Sequence, residues 1–587
     1  MRVQKRNSNI RYLFPIVFII GAVPLIVFGK EIPLKGVLLG YWVKELDFFS
    51  YYKMVFLLIS IVLALVISFI YFFKGGRIKK TYYYVSMEIY GVMIILSTMY
   101  SAYPKVAVWG FPDRYEGMLV LLSYLVVMFL SINLINHERD MKFLLRVLFI
   151  SASLISIIGL LQYLGFDIFA NVIEKKLILP DTLSKLSNEI NIKFDYIYST
   201  LYNPNYVGSY MGMLFPLTVA LYISIESKRD KIILGCLSLL IFSNWLGCLS
   251  RAGIIAGFGS NILLFLLLTK EKLMKSRLPI LILGISFILV FTVMNYTGNG
   301  RLIRELLSFN KEIQKDTRSL ENIVINKNRL LIVTDKDELL IKINSDNRLE
   351  FFNKDNKIIN YNMEESNGKI KFKNKEYQNY RFKFIKSTNL LNFEYGKEKA
   401  DFKIKTNHEK EFLILGFMGR GCKTDEVEKW GFTNHEGFAS HRGYIWSRSI
   451  PLLKETFFTG YGPDLYALYF PQFDTVGKLI NFGTTRIIVD KPHNMYLQIA
   501  INTGIISLIT VLLMFGSYIY SSIKLYWNRN LNDFYSKTGV SIFVAIVAYL
   551  IAGLFNDSVI SVAPVFWTLL GMGISINLKL KKGMKTR

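Results

Sequence analysis

An arginine at position 442 and a histidine at position 493 bracket a turn-rich stretch, and the pair suits chemistry on an anion. A guanidinium stays charged and binds phosphate oxygens in a planar fork, while an imidazole takes up a proton near neutrality. The stretch opens with His441-Arg442-Gly443-Tyr444-Ile445-Trp446, passes Gly460-Tyr461-Gly462-Pro463 and closes with Asp490-Lys491-Pro492-His493-Asn494. Pro492 disfavours helical geometry at Lys491, so a helix is expected to begin near His493, with Asn494 in its first turn. Other candidates lie upstream. Arg251, in Ser250-Arg251-Ala252-Gly253, falls between two apolar runs with almost no loop. A charge there is costly, so it pairs with something or snorkels to the interface. Arg114 and Glu116 lie in Asp113-Arg114-Tyr115-Glu116-Gly117, where a plain interfacial loop with aromatic anchors reads equally well. Asn203-Pro204-Asn205 reads first as a turn that starts a helix, with sugar or phosphate contact as a further role. Trp446 and Arg448 complete the set.

These side chains need a scaffold, and the composition says which kind. Of 587 residues, 52% are hydrophobic and 15% aromatic. The apolar ones gather in separate runs of about twenty, each enough to cross a bilayer. Spans are expected near 12–28, 54–73, 82–100, 116–135, 143–164, 206–226, 231–249, 251–269, 279–297, 495–521, 538–556 and 560–578. The expected fold class is therefore an all-α polytopic membrane protein of about 12 transmembrane helices. The formal charge of +26 is read by location. Alternate short connections are basic, for example Lys74, Arg77, Lys79 and Lys80, or Lys228, Arg229 and Lys231, as is the C-terminal tail. That pattern puts both termini in the cytoplasm. The basic start (Arg2, Lys5, Arg6, Arg11) leads into a retained first span, with no cleavage site of the signal-peptide kind. Glu88 is the main acid expected to be buried within a span. No compact basic module stands apart from the membrane, which argues against nucleic-acid binding. Cys236, Cys248 and Cys422 have no metal spacing, and no structural disulfide is expected.

Residues 299–440 break the pattern. Lys, Asn, Asp and Glu dominate, and short alternating runs appear at Leu330–Val333, Leu339–Ile343, Ile370–Lys373, Tyr380–Phe384, Phe402–Lys405 and Phe412–Leu415. Alternation broken by Asn, Asp and Gly reads as antiparallel strands in a small sandwich or barrel. The expected organisation is helices 1–9 in 1–298, an inserted extracytoplasmic β-rich domain in 299–440, an outer catalytic loop in 441–494, and helices 10–12 with a basic tail in 495–587.

The order Arg442-x-x-x-Trp446, a corner from Pro451 to Gly460-Tyr461-Gly462, and His493-Asn494 at a helix mouth resembles the shared domain of the O-antigen ligase and polymerase family. Arg114-Tyr115-Glu116-Gly117 resembles an Arg-x-Glu-Gly signature of that family, and Ser250-Arg251-Ala252-Gly253 and Asn203-Pro204-Asn205 are similar to further motifs. The likeness covers 95–300 loosely and 440–520 more specifically, and leaves out the β-rich insert. It implies a glycosyltransferase that needs no metal or other cofactor. The implied donor is an undecaprenyl-diphosphate-linked glycan, and the acceptor a glycan, lipid or protein hydroxyl at the outer face of a bacterial cytoplasmic membrane. It also implies that Arg251 and Arg442 grip the diphosphate and that His493 takes the acceptor proton. Arg114, Glu116, Asn203, Asn205, Trp446, Arg448 and Asn494 are then substrate-binding candidates. A lipid-linked glycan flippase or other transporter, or a protein O-oligosaccharyltransferase, are the alternatives. A transporter would place ionisable groups mid-membrane, whereas here they cluster at the outer rim.

Overall fold

The computed structural model describes residues 10–41, 44–170, 175–176, 178–180, 183, 196–311, 320–406, 409–424, 426–527, 529 and 531–585. The basic residues Arg2, Lys5, Arg6 and Arg587 lie outside them. Eight helices among the described residues are long and apolar enough to cross a membrane: Tyr51–Phe73, Glu138–Tyr163, Pro204–Ser224, Lys228–Gly247, Arg277–Thr297, Ile505–Tyr526, Phe534–Ala552 and Ala563–Gly583. Four shorter apolar helices, Phe14–Leu25, Tyr83–Met99, Met118–Leu134 and Arg251–Leu267, fall on the other expected runs. They are shorter than the roughly twenty residues of a full crossing, so eight helices rather than twelve have membrane length.

Two sequence expectations need correction. The run read as one span at 495–521 is two helices, Met495–Thr503 and Ile505–Tyr526. Gly504 separates them at φ +101°, and a Cβ there would lie 2.6 Å from the Phe458 carbonyl oxygen, so the chain must break at a glycine. Glu88 is exposed rather than buried. Tyr83, Met87, Tyr90 and Ile94, at helical spacing, take the packed face of its helix and turn Glu88 outward.

The helix Pro204–Ser224 is the hub of the helical part. Its apolar stretch is wholly buried, and it packs against Phe534–Ala552, Arg251–Leu267 and Lys228–Gly247. Asn203 caps its start, accepting from the Asn205 N–H at 2.9 Å, with Pro204 in the first turn. A Cβ on Gly253 would come within 2.6 Å of the Gly208 carbonyl oxygen. The Pro204 and Arg251 helices therefore meet backbone to backbone at their starts. At the periphery, Leu281, Ile285, Ile288 and Leu289 of Arg277–Thr297 are more than half exposed, the apolar surface a lipid phase would cover.

The six alternating runs are strands. Leu320–Asn326, Arg329–Thr334, Glu338–Ile343 and Leu349–Phe352 pair antiparallel in chain order. Seven more, from Tyr361–Met363 to Gly421–Cys422, form a second antiparallel sheet, again in chain order. Leu330, Ile332, Phe351, Phe382, Phe393 and Phe402 belong to one apolar core shared by both sheets. A helix, Arg301–Lys311, precedes the first strand. Leu479, from the helix Thr475–Phe482, enters the same core. The Lys399 N–H donates to the Gly483 carbonyl at 2.8 Å, and Thr485 Oγ1 to that of Leu415 at 2.5 Å. The β-rich part is thus fastened to the segment that leads to His493.

Candidate active site

Arg251, Arg442, Asn203 and Asn205 line one cavity of about 640 Å³, together with Ser250, Ser440, Glu305 and Phe555. Ser250 caps the Arg251 helix, so the guanidinium starts from its first turn. It is partly exposed and lies 3.3 Å from Oε1 of Glu305. Asn205 Oδ1 accepts from Ser250 Oγ at 3.1 Å, which ties the two helix starts that floor the cavity. Ala439 and Ser440 also line the cavity, and with His441 they are left-handed, at φ 51°, 59° and 66°. Each such residue costs about 1–2 kcal/mol, and strain of this kind gathers at functional sites. Arg442 follows directly. Its Nη1 donates to the Ala439 carbonyl at 2.8 Å, closing the strained turn, and its Nε donates to the Phe555 carbonyl at 2.8 Å.

Phe555 belongs to the loop between the helices Phe534–Ala552 and Ala563–Lys585, and the next three residues of that loop build the rest of the site. Asn556 Nδ2 donates to Ser209 Oγ at 2.8 Å and to the Asn205 carbonyl at 3.2 Å, anchoring the loop on the hub helix. Asp557 is buried, and its Oδ2 lies 3.1 Å from Nδ1 of His493. Ser558 donates from Oγ to Glu116 Oε1 at 2.9 Å and from its N–H to Gln498 Oε1 at 3.0 Å. Neither Asp557 oxygen has a well-aligned hydrogen bond, so the imidazole contact is an approach at ion-pair distance rather than an ideal bond. Burial pushes the Asp557 carboxyl up; His493, Lys491 and Arg114 outweigh it and hold the group below the usual carboxylate range.

His493 is pinned from both sides. Trp446 Nε1 donates to the Pro492 carbonyl at 2.8 Å. Asn494 Oδ1 accepts from the N–H groups of Tyr496 and Leu497 at 3.0 and 2.9 Å, so Asn494 is the cap of Met495–Thr503 rather than a first-turn residue. The helix starts two residues later than the proline rule placed it, because His493 itself is left-handed at φ 51°. Asn494 Nδ2 also donates to the Leu554 carbonyl at 3.0 Å, and the Met495 N–H to that of Gly553 at 2.8 Å. The imidazole is 28% exposed.

The remaining candidates are buried in networks of their own. Arg114 is buried, with Nε 2.9 Å from Asp464 Oδ1 and Nη1 on the Asp490 carbonyl. Asp464 also accepts from the Phe111 and Glu116 N–H groups at 2.7 and 3.2 Å, so this pair shapes the loop that carries Glu116. Glu116 accepts from Tyr124 Oη at 2.6 Å besides Ser558, and burial pushes its carboxyl up to about 7. Arg448 is buried between Glu436 and Asp474. Of the sequence candidates, Arg114, Glu116, Trp446, Arg448, His493 and Asn494 do not line the cavity. Asp557, Asn556 and Ser558 escaped the sequence reading. Their signal was a lone polar triplet in the connection between two apolar runs. Among the described residues, no group of three or more His, Cys, Asp or Glu is placed to hold a metal ion.

Among the described residues, then, stand eight helices long and apolar enough to cross a membrane, two arginines on one cavity and a histidine–carboxylate pair near it. Residues 412–512, the segment that holds Arg442, Trp446, Arg448, His493 and Asn494, match the family model described as O-Antigen ligase. The match supports an activity of the O-antigen ligase or polymerase type, with a lipid-linked glycan donor. No curated protein and no solved structure matches the chain.

Proposed function

We propose that the chain transfers a glycan from an undecaprenyl-diphosphate carrier to an acceptor hydroxyl, as a surface-polysaccharide ligase or polymerase. The observation that carries this reading is the loop at 555–557. Arg442 holds it at Phe555, and two residues on it presents Asp557 to His493. Phosphate-gripping and proton-accepting groups thus share one short support beside the cavity that Arg251 also lines. A carboxylate beside Nδ1 favours the tautomer protonated there, which leaves the lone pair on Nε2. The acceptor oxygen forms the new bond to the anomeric carbon and gives its proton to Nε2. The bond to the diphosphate oxygen breaks, and the diphosphate leaves with the electron pair. Its growing charge falls to Arg251 and Arg442, whose forks fit phosphate oxygens, so the reaction proceeds without a metal ion. The site faces outward, both termini are cytoplasmic, and the four shorter apolar helices complete the spans; the basic alternate connections support this orientation. Turnover of His493→Ala and His493→Gln tests the reading. Both are expected to lose turnover while donor binding persists. Near-normal turnover of His493→Gln would make His493 a hydrogen-bonding residue and send the base elsewhere.

A further inference from the structure

We propose that the outer face of the seven-stranded sheet binds an anionic glycan chain and leads it toward His493. The class of ligand rests on the glycan-transfer reading; the site itself does not. A groove of about 890 Å³ crosses the strands Lys369–Phe372, Arg381–Ile385, Leu390–Tyr395 and Glu398–Lys405 and ends at Thr484–Arg486. Alternation sends Ile370, Phe372 and Phe382 into the core and leaves Lys369, Lys371, Arg381 and Lys383 exposed on the groove side. Two carboxylates line it, and both are taken: Glu394 lies 3.1 Å from Lys399, and Asp401 pairs with Arg486. Lys371 turns to Glu364 at 2.5 Å. Among the described residues no carboxylate lies within ion-pair distance of Lys369, Arg381 or Lys383; Arg381 stands opposite Glu394 in register, and Lys369 directly opposite Lys383.

Like charges opposite each other weaken a sheet, so the fold does not call for this arrangement. An anionic ligand would. Cations two residues apart on a strand sit about 7 Å from each other, a spacing that suits repeated charges along a chain. Gln378, Asn392 and Thr484 add amide and hydroxyl groups, which favour a glycan over an acidic peptide. From Arg486 at the rim, the chain runs on to His493, and seven residues reach at most about 25 Å.

The test is direct binding to the purified full chain. Fluorescent oligogalacturonate (a carboxylated glycan), a maltooligosaccharide of equal length and polyglutamate are compared by anisotropy at low and high salt. The carboxylated glycan is expected to bind and to weaken with salt, and the neutral one to show no binding. The triple variant Lys369→Gln, Arg381→Gln, Lys383→Gln is expected to lose at least about tenfold in affinity, and Lys383→Gln alone about threefold. Lys336→Gln, Lys354→Gln and Lys357→Gln, exposed in turns beside the other sheet, make the same charge change and are expected to leave binding within twofold. Equal loss in that control, equal binding of the neutral glycan, or polyglutamate binding as tight as the carboxylated glycan would overturn the proposal. His493→Ala is expected to bind normally, so loss of catalysis and loss of the groove read out separately.

Discussion

Replacing Asp557 by asparagine keeps the shape of the side chain and removes its charge. The carboxylate side chain is 1% exposed, with Oδ2 3.1 Å from Nδ1 of His493. Once His493 accepts a proton the two form an ion pair. At 3.1 Å and an effective dielectric constant of about 20, their attraction is about 5 kcal/mol. At about 1.4 kcal/mol per decade, that sets a ceiling near 10⁴ on the loss of turnover. The ring is 28% exposed, so water takes over part of the stabilisation, and the expected fall in kcat is about 10²–10³-fold. Donor binding should be unchanged, because Arg251 and Arg442 keep their places. The assay is single-turnover transfer by the purified protein in lipid, with donor affinity measured separately. Asp557→Asn within about threefold of the parent in kcat would refute the dyad, and an equal loss in donor affinity would reduce Asp557 to a loop anchor.

Arg442→Lys should be nearly as damaging as Arg442→Ala, with turnover down about 10²-fold or more, because lysine keeps the charge but loses the planar fork. A fully active lysine variant would leave Arg442 a tie for the Ala439 turn. A cysteine at the exposed turn residue Asn356, with the native cysteines replaced by serine, should react with an impermeant maleimide in whole cells. Labelling only after lysis would reverse the proposed orientation. Burial holds Glu116 at about 7 in the fold against an ordinary 4.5, so the folded chain binds more protons between those values. Stability on this account is greatest below 4.5 and falls by about 3 kcal/mol as pH rises to 7. Glu116→Gln should flatten that decline in thermal melts of the protein in detergent; an unchanged decline would mean the group ionises freely.

The sequence carried the parts that depend on local rules. Apolar runs placed the eight long and four shorter apolar helices, apart from the break at Gly504, and alternation placed six of the eleven strands in the two larger sheets, since both are periodicities of adjacent residues. Asn203 as a cap and Ser250-Arg251-Ala252-Gly253 as a helix start followed from side-chain chemistry near the chain. What escaped depends on contacts distant in sequence. Nothing next to Arg114 announces Asp464, and nothing next to His493 announces Asp557. A single glycine within an apolar run is compatible with a helix, so nothing local marks Gly504; only the Phe458 carbonyl beside it forces the break.

The strained backbone and the buried charges answer to the same loop. His493 and the turn Ala439–His441 are left-handed, and the residue that follows each is bonded to this loop: Asn494 to the Leu554 carbonyl and Arg442 to that of Phe555. Those residues are fixed in turn by Asn556 on the hub helix and by Ser558 on Glu116 and Gln498. The hub start is where Gly208 and Gly253 let two backbones touch, and the Arg251 helix begins there. A side chain at Gly253 would therefore act far beyond its own contact: it would part the two helix starts, shift Arg251, and release Asn556. On the proposed reading, the histidine, its carboxylate and both arginines are positioned by one packed junction, which brings residues from distant parts of the chain to the proposed site.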